Sequence, residues 1–123
     1  NIMPIKEVIS EGNNNLRIIM PRAIIDLLTY VETRGTFDEC NASRVIYSVL
    51  NALSYLHSMN IIHRNVKLDN ILIMKEERSI INNVVLSGFS CFTSKLGEMS
   101  SDFDVEGFQF NSPEILQHKE CLY

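Results

Sequence analysis

The chain of 123 residues lacks any excess of basic charge, since 11 Lys and Arg stand against 15 Asp and Glu and the net charge is −4. This balance argues against a nucleic-acid-binding protein, which needs cations to neutralise phosphates. No apolar run approaches the ~20 residues that span a bilayer, and no signal peptide is visible at the start. The 3 cysteines form no CxxC pair. We therefore expect an intracellular protein without nucleic-acid or membrane partners.

Internal repeats and linkers rich in Pro, Gly or Ser are missing as well. Apolar residues make up 46% of the chain and charged residues 21%, which is ordinary for a globular domain and excludes a disordered tail. At this length we expect one domain.

The hydrophobic pattern predicts a mixed α+β order. Two segments rich in β-branched residues, 5–9 and 16–20, flank a Gly/Asn cluster and predict a β-hairpin that ends at Pro21. A helix is predicted over 24–33. The periodicity predicts a longer helix from its N-cap Asp38 to about Met59, with an apolar stripe of Ile46, Val49, Leu50, Leu53 and Leu56.

After the long helix the pattern changes to short apolar runs. Residues 71–74 and 84–86 predict a second hairpin around a charged turn at 75–78. The apolar residues of 90–111 follow no clear period, which predicts a long loop. Loops of this length in compact domains are often functional. A short helix is expected to begin near Pro113.

The segment 63–70 carries the polar string H-R-N-V-K-L-D-N between a helix and an apolar strand. Judged by composition alone, such a segment is interpreted as a solvent-exposed loop. The order of its residues, however, resembles the catalytic loop H-R-D-L-K-x-x-N of Ser/Thr protein kinases. Residues 84–90 align with the strand that ends in D-F-G, and 112–114 stand where A-P-E closes the activation segment.

The resemblance implies a fragment of the bilobal protein-kinase fold, of class α+β. It places the end of the small lobe at 1–20, the hinge at 21–25, and the first part of the helical large lobe, through the activation segment, at 26–123. The long helix is similar to those of calmodulin-dependent and AMP-activated kinase relatives. The hinge and residues 111–114 resemble herpesvirus-type Ser/Thr kinases. The Gly-rich loop and strand Lys of the family would precede residue 1.

The same resemblance implies a nucleotide site. Met20 would be the gatekeeper, and the backbone C=O of Pro21 and N–H of Ala23 would meet the adenine. Leu72 would pack beneath the base. Asp26 is the candidate for the ribose contact, although the hinge is one residue short before it.

The chain departs from the family at both essential carboxylates. Asn65 stands at the position of the catalytic base, and Gly88 stands at the metal-binding Asp of D-F-G. A neutral amide has no useful basicity, and glycine offers no ligand to Mg²⁺. Lys67 could still neutralise a phosphate, and Asn70 could still offer an oxygen to a metal. ATP binding is therefore possible, and Mg²⁺ binding is expected to be weak or absent.

These departures predict a catalytically impaired pseudokinase that serves as a scaffold or allosteric regulator of a protein partner. The alternative is a weakly active or atypical kinase that transfers the ATP γ-phosphate to Ser or Thr of a protein. A decaying gene product without a role is a third reading.

Two further residues of the loop receive roles from the resemblance. His63 should be a buried, hydrogen-bonded histidine. In regulated kinases the position of Arg64 pairs with an activation-loop phosphate. We expect Asp102 or Asp104 to supply that negative charge here, the alternative being that both are solvated loop acids.

Overall fold

The computed structural model describes residues 1–12, 15–94 and 108–116. Within these residues the fold has five strands in two antiparallel sheets, three α-helices and three short 3₁₀ turns. The elements are β1 (Glu7–Glu11), β2 (Asn15–Ile19), β3 (Ile25–Asp26), α1 (Leu27–Arg34), α2 (Glu39–Ser58), β4 (Ile71–Glu77), β5 (Ile80–Leu86) and α3 (Pro113–Leu116), with the 3₁₀ turns at Leu68–Asn70, Phe89–Cys91 and Phe108–Phe110.

The first sheet is the hairpin of β1 and β2, paired from Glu7 opposite Ile19 to Glu11 opposite Asn15. The predicted hairpin is therefore confirmed, with β1 beginning two residues later than the apolar pattern indicated. The first residues of the chain attach to the second sheet instead, because the Met3 N–H donates to the Leu86 carbonyl at 2.9 Å.

The second sheet has the order β3-β4-β5 and contains the second predicted hairpin. The predicted turn at 75–78 begins too early, since β4 continues through Glu77 and the chain reverses at Arg78 and Ser79. Asn41 explains the longer hairpin. Its side chain donates to the Ser79 carbonyl and accepts from the Ile81 N–H, both at 2.9 Å, so the turn is fastened to the start of α2.

Helix α1 begins three residues later than the predicted 24–33. The Ile24 N–H donates to the Ile73 carbonyl, and Ile25 pairs with Ile73 in the sheet, so these two residues are extended. Asp26 then caps the helix by accepting from the Thr29 N–H at 2.8 Å. The helix ends before Gly35, whose φ of 84° and ψ of −165° lie in a region that glycine adopts readily and other residues rarely do.

Helix α2 confirms the long predicted helix, including its N-cap Asp38, which accepts from the Asn41 N–H. The predicted apolar stripe is only partly right. Ile46 and Leu50 are each 59% exposed, because α2 buries the face that packs against β5. The buried positions of α2 are Asn41, Val45, Val49, Ala52 and Leu56.

The core lies between α1, α2 and the β4–β5 hairpin. Its most completely buried side chains are Leu27, Ile73, Ile81, Leu86, His63 and Val84. Burial of such apolar surface is the main stabilising contribution to a fold of this size. The polar loop 63–70 follows α2 and the segment 87–90 follows β5, so this packing brings the two segments together.

Candidate functional site

The polar loop is anchored by His63, which is 1% exposed. Its Nε2 lies 2.8 Å from the Ser87 carbonyl, and its Nδ1 accepts from the Asn65 N–H at 3.2 Å. The ring also meets Phe89 edge-on, with centroids 4.6 Å apart. These contacts confirm the buried, hydrogen-bonded histidine expected from the sequence and join the loop to the segment after β5.

The electrostatic state of His63 follows from this burial. Desolvation lowers its pKa below the ordinary value of 6.5, against the weaker opposite effect of the Ser87 carbonyl. A neutral ring also matches the geometry, because Nδ1 must be unprotonated to accept from Asn65 and Nε2–H then donates to Ser87.

Asn70 is held at three points in the centre of the loop. Its backbone N–H donates to the Lys67 carbonyl at 3.0 Å, and its carbonyl accepts from the Ser87 N–H at 2.8 Å. Its side-chain amide donates to the Asn65 carbonyl at 2.8 Å. The structure therefore brings Asn65, Asn70 and the Ser87–Gly88 segment into one cluster.

Gly88 adopts the left-handed conformation, with φ 78° and ψ 45°. This conformation strains residues that carry a Cβ. A Cβ on Gly88 would also lie closer than 3.0 Å to the Cγ, Oδ1 and Nδ2 atoms of Asn70. The space beside residue 88 is thus filled by the Asn70 carboxamide.

The cluster does not fit Mg²⁺ well. Magnesium is held in proteins chiefly by carboxylates and phosphates in a near-octahedral shell. Gly88 has no side chain, and Asn70 contributes a single neutral amide oxygen. The one carboxylate of the loop, Asp69, is paired with Lys67 at 3.4 Å and is 45% exposed. Over the described ranges, moreover, no group of three or more His, Cys, Asp or Glu could hold a metal ion.

The residues predicted to bind a nucleotide lie along β3, β4 and the chain before them. Asp26 and Leu72 are directly paired across β3 and β4, so the candidate ribose and adenine contacts are neighbours. Pro21 and Ala23 are half-buried in the irregular segment before β3.

Asp26 is already engaged as the cap of α1. One carboxylate oxygen accepts from the Thr29 N–H and the other from the Thr29 hydroxyl, both at 2.8 Å. The bond from the Thr29 N–H is the main reason why the pKa of Asp26 lies below its ordinary value. A ribose hydroxyl would have to share these oxygens with Thr29. The sequence pattern did not reveal this competition, although Asp followed three residues later by Thr at a helix start was a signal for capping.

A cavity of about 610 Å³ lies beside the cluster. Met20 and Gly88 both line it, which places the predicted gatekeeper and the metal position at one space. Its other lining residues among those described are Ile2, Met3, Ile5, Ile18, Ser87, Phe89 and Ser90. Pro21, Ala23, Asp26 and Leu72 are not among them. The sequence carries no functional signal at the apolar residues 2, 3 and 18, because isolated apolar residues are common on protein surfaces.

Arg64 contacts the chain just after residues 88–90. Its Nε donates to the Cys91 carbonyl at 2.6 Å, and its Nη2 lies 3.5 Å from the Phe92 carbonyl. The neighbouring Ile62 forms a two-way backbone bridge with Thr93. Arg64 thus binds the beginning of the predicted loop through main-chain oxygens. Its expected partners, Asp102 and Asp104, lie outside the described residues.

Among residues 1–12, 15–94 and 108–116, none of the helices combines the length and the hydropathy of a transmembrane span.

Comparison with known proteins places this geometry in a family. The whole chain, residues 1–123, matches the family described as "Protein kinase domain". The human testis-specific serine/threonine-protein kinase 1 is 29% identical over 123 residues, which cover 95% of this chain and 32% of that protein. The serine/threonine-protein kinase US3 homolog of Gallid herpesvirus 2 (strain GA) is 35% identical over 103 residues, which cover 80% of this chain and 24% of that protein.

Solved structures agree with the fold. The yeast RNA Pol II CTD kinase CTDK-1 complex contains a chain that matches 82% of this one with a TM-score of 0.64 and 25% identity. The structure of the Rad53 kinase domain and SCD2 matches 75% with a TM-score of 0.63 and 27% identity. In both cases the match covers about a third of the solved chain, at 31% and 33%. The fold is thus that of part of a bilobal kinase, and the chain belongs to the protein kinase domain family.

Proposed function

We propose that this chain is part of a catalytically impaired kinase domain, a pseudokinase that acts on its protein partner as a scaffold or allosteric regulator. The observation that carries the proposal is the pair Asn65 and Gly88. They stand at the two positions where the family resemblance expects carboxylates, and they lie in one cluster with Asn70.

The expected loss of phosphotransfer rate is large, because both proton transfer and metal binding are affected. Loss of a positioned general acid or base typically costs about 10²–10⁴-fold in rate. Phosphoryl transfer also depends on Mg²⁺ to neutralise charge on the phosphates, and this cluster offers it neutral amide oxygens in place of a carboxylate. Asn65 can orient a substrate hydroxyl by hydrogen bonding, but it cannot accept the proton.

Nucleotide binding without efficient transfer is part of the proposal. The adenine would lie against Leu72 and bind the backbone C=O of Pro21 and N–H of Ala23. Lys67 would face the phosphates and share its charge with Asp69. The free thiols of Cys40 and Cys91 support an intracellular, reducing location for the protein.

A weakly active or atypical Ser/Thr kinase is the second candidate. The retained Lys67 and Asn70 favour it, because these two residues keep a phosphate-neutralising charge and one metal-binding oxygen in the loop. In this case the ATP γ-phosphate would pass to a Ser or Thr of a protein substrate at a low rate.

The experiment that separates the two is a phosphotransfer assay on the intact protein with γ-labelled ATP and Mg²⁺. We expect no label transfer above that of a matched Lys67→Ala variant. Transfer by the parent protein that Lys67→Ala abolishes would contradict the pseudokinase and support the second candidate.

A thermal melt tests nucleotide binding separately. A ligand that binds only the native state raises stability by RT ln(1 + [L]/Kd), so modest affinity is visible. We expect ATP to raise the melting temperature equally with and without Mg²⁺. A shift that requires Mg²⁺ would show that a metal is still bound. No shift with ATP in either condition would show that the nucleotide site is lost.

A further inference from the structure

The space beside Gly88 is occupied by the side chain of Asn70, and a missing carboxylate at residue 88 does not by itself explain this. A family member with Asp at this position must fit a Cβ and a carboxylate next to the loop asparagine. Here the Asn70 carboxamide lies where that Cβ would be, with all three of its terminal heavy atoms closer than 3.0 Å to it. Real Cβ atoms are not found at such distances, so one of the two groups would have to move.

Movement is restricted on the side of Asn70. Its backbone is tied at both ends, to Lys67 and to Ser87, and its amide donates to the Asn65 carbonyl at 2.8 Å. A rotation that clears residue 88 would break this last hydrogen bond.

Movement is also restricted on the side of Gly88. Ser87 before it bonds through its N–H to Asn70 and through its carbonyl to His63. Phe89 after it packs edge-on against the buried His63 ring. The backbone on both sides of Gly88 is therefore held against the same loop that carries Asn70.

We propose that Asn70 is a steric lock on position 88. It closes the space of the missing carboxylate, so that the metal position is filled by protein rather than left open. This inference rests on the proposed function, which takes the site to be poor in metal ligands, but it has its own tests. Asn70 acts here as a positioning residue, and restoring Asp at 88 alone does not rebuild a cation site.

The Asn70→Ala background supplies the control for the lock. Gly88→Ala introduces the same left-handed strain whether or not Asn70 is present, because that strain belongs to the backbone of residue 88. The clash, by contrast, is with side-chain atoms that Asn70→Ala removes.

The first experiment is a thermal-melt cycle on the intact protein with Gly88→Ala, Asn70→Ala and the double variant Asn70→Ala/Gly88→Ala. We expect Gly88→Ala to lower the melting temperature of the parent by about 3 °C or more beyond its effect in the Asn70→Ala background, because overpacking adds to strain only where Asn70 is intact. In the Asn70→Ala background the three clashing atoms are gone, and the left-handed strain alone remains.

Equal effects of Gly88→Ala in the parent protein and in the Asn70→Ala background would overturn the lock. If Gly88→Ala does not fold at all, the double variant must still fold and unfold cooperatively. A double variant that also fails to fold refutes the proposal.

The second experiment asks whether a carboxylate at 88 can reach a cation. Free Mn²⁺ is followed by electron paramagnetic resonance in the presence of Gly88→Asp or Gly12→Asp protein. Gly12 is exposed and a Cβ built on it meets nothing within 4 Å, so Gly12→Asp adds a carboxylate away from the cluster. We expect the two variants to remove the same small amount of free Mn²⁺. Tighter binding by Gly88→Asp would mean that Asn70 moves aside and that the lock does not exist. These readouts do not depend on phosphotransfer, so activity of the parent protein would refute the proposed function while leaving the melt cycle to decide the lock.

Discussion

Replacing His63 with alanine tests the contact that holds the candidate site together. The imidazole is 1% exposed and bonds the Ser87 carbonyl at 2.8 Å and the Asn65 N–H at 3.2 Å. Alanine leaves both main-chain groups without these partners and removes the ring that packs against Phe89. The loop 63–70 and the segment 87–90 would then be joined mainly through Asn70.

The expected cost follows from these contacts. A buried polar group that loses its partner costs about 1–3 kcal/mol, and two such groups are created here. Water that enters the cavity would satisfy part of this loss, while the lost ring contacts add to it. We therefore expect His63→Ala to lower the free energy of unfolding by about 3–5 kcal/mol, a large part of the roughly 5–15 kcal/mol of a typical domain.

Urea unfolding of the intact protein, followed by circular dichroism, measures this cost from the midpoint and slope. The matched control is His57→Ala, which removes a partly exposed histidine at the end of α2 and should cost clearly less. A loss below about 1 kcal/mol for His63→Ala, or one equal to that of His57→Ala, would refute the view that His63 holds the two segments together.

Three further outcomes are expected. Burial lowers the pKa of His63 below 6.5, so its contribution to stability is complete above that pH and is lost as the unfolded state takes up the proton at lower pH. Melts from pH 7.5 to 5.5 should therefore show that the parent loses stability more steeply with falling pH than His63→Ala does, by at most about 1.4 kcal/mol per pH unit. Parallel stability curves would contradict this assignment. Asn41→Ala should cost about 2–3 kcal/mol in urea unfolding, because the Ser79 carbonyl and Ile81 N–H lose their partner; an effect as small as that of the exposed Tyr47→Ala would contradict the fastening of the hairpin to α2. Asp26→Ala should lower the free energy of unfolding by about 1 kcal/mol, because α1 loses its cap. The parent should lose the same contribution as the pH falls below 3.8 toward the lowered pKa of Asp26. An acid-unfolding curve of Asp26→Ala that matches the parent's would contradict the capping role of Asp26.

The sequence predicted those features that depend on short-range patterns. The cap at Asp38 and the period of α2 are local, because a helix is defined by contacts between residues three and four apart. The order of residues in 63–70, together with the later blocks, was sufficient to identify the family. It also drew attention to Asn65 and Gly88, which the resemblance places at the two family carboxylates, because that placement depends only on the order of residues.

Features that depend on distant partners were predicted less well. Ile24 and Ile25 were assigned to a helix because their apolar character suits either state, and pairing with Ile73 made them extended. Ile46 and Leu50 were assigned to the buried face of α2, yet β5 covers a different face. The turn, predicted at 75–78, lies at residues 78–79 because Asn41, far away in sequence, fastens it there.

The residue types at the candidate site, Asn65 and Gly88 among them, were determined by the sequence itself. Only the tertiary structure decided how the remaining residues are used. It engages both oxygens of Asp26 in capping α1, turns Arg64 toward main-chain carbonyls, and places the Asn70 carboxamide in the space beside Gly88. The physical reason is that sequence specifies which groups are available, whereas hydrogen bonding and excluded volume among distant segments determine which of them can meet.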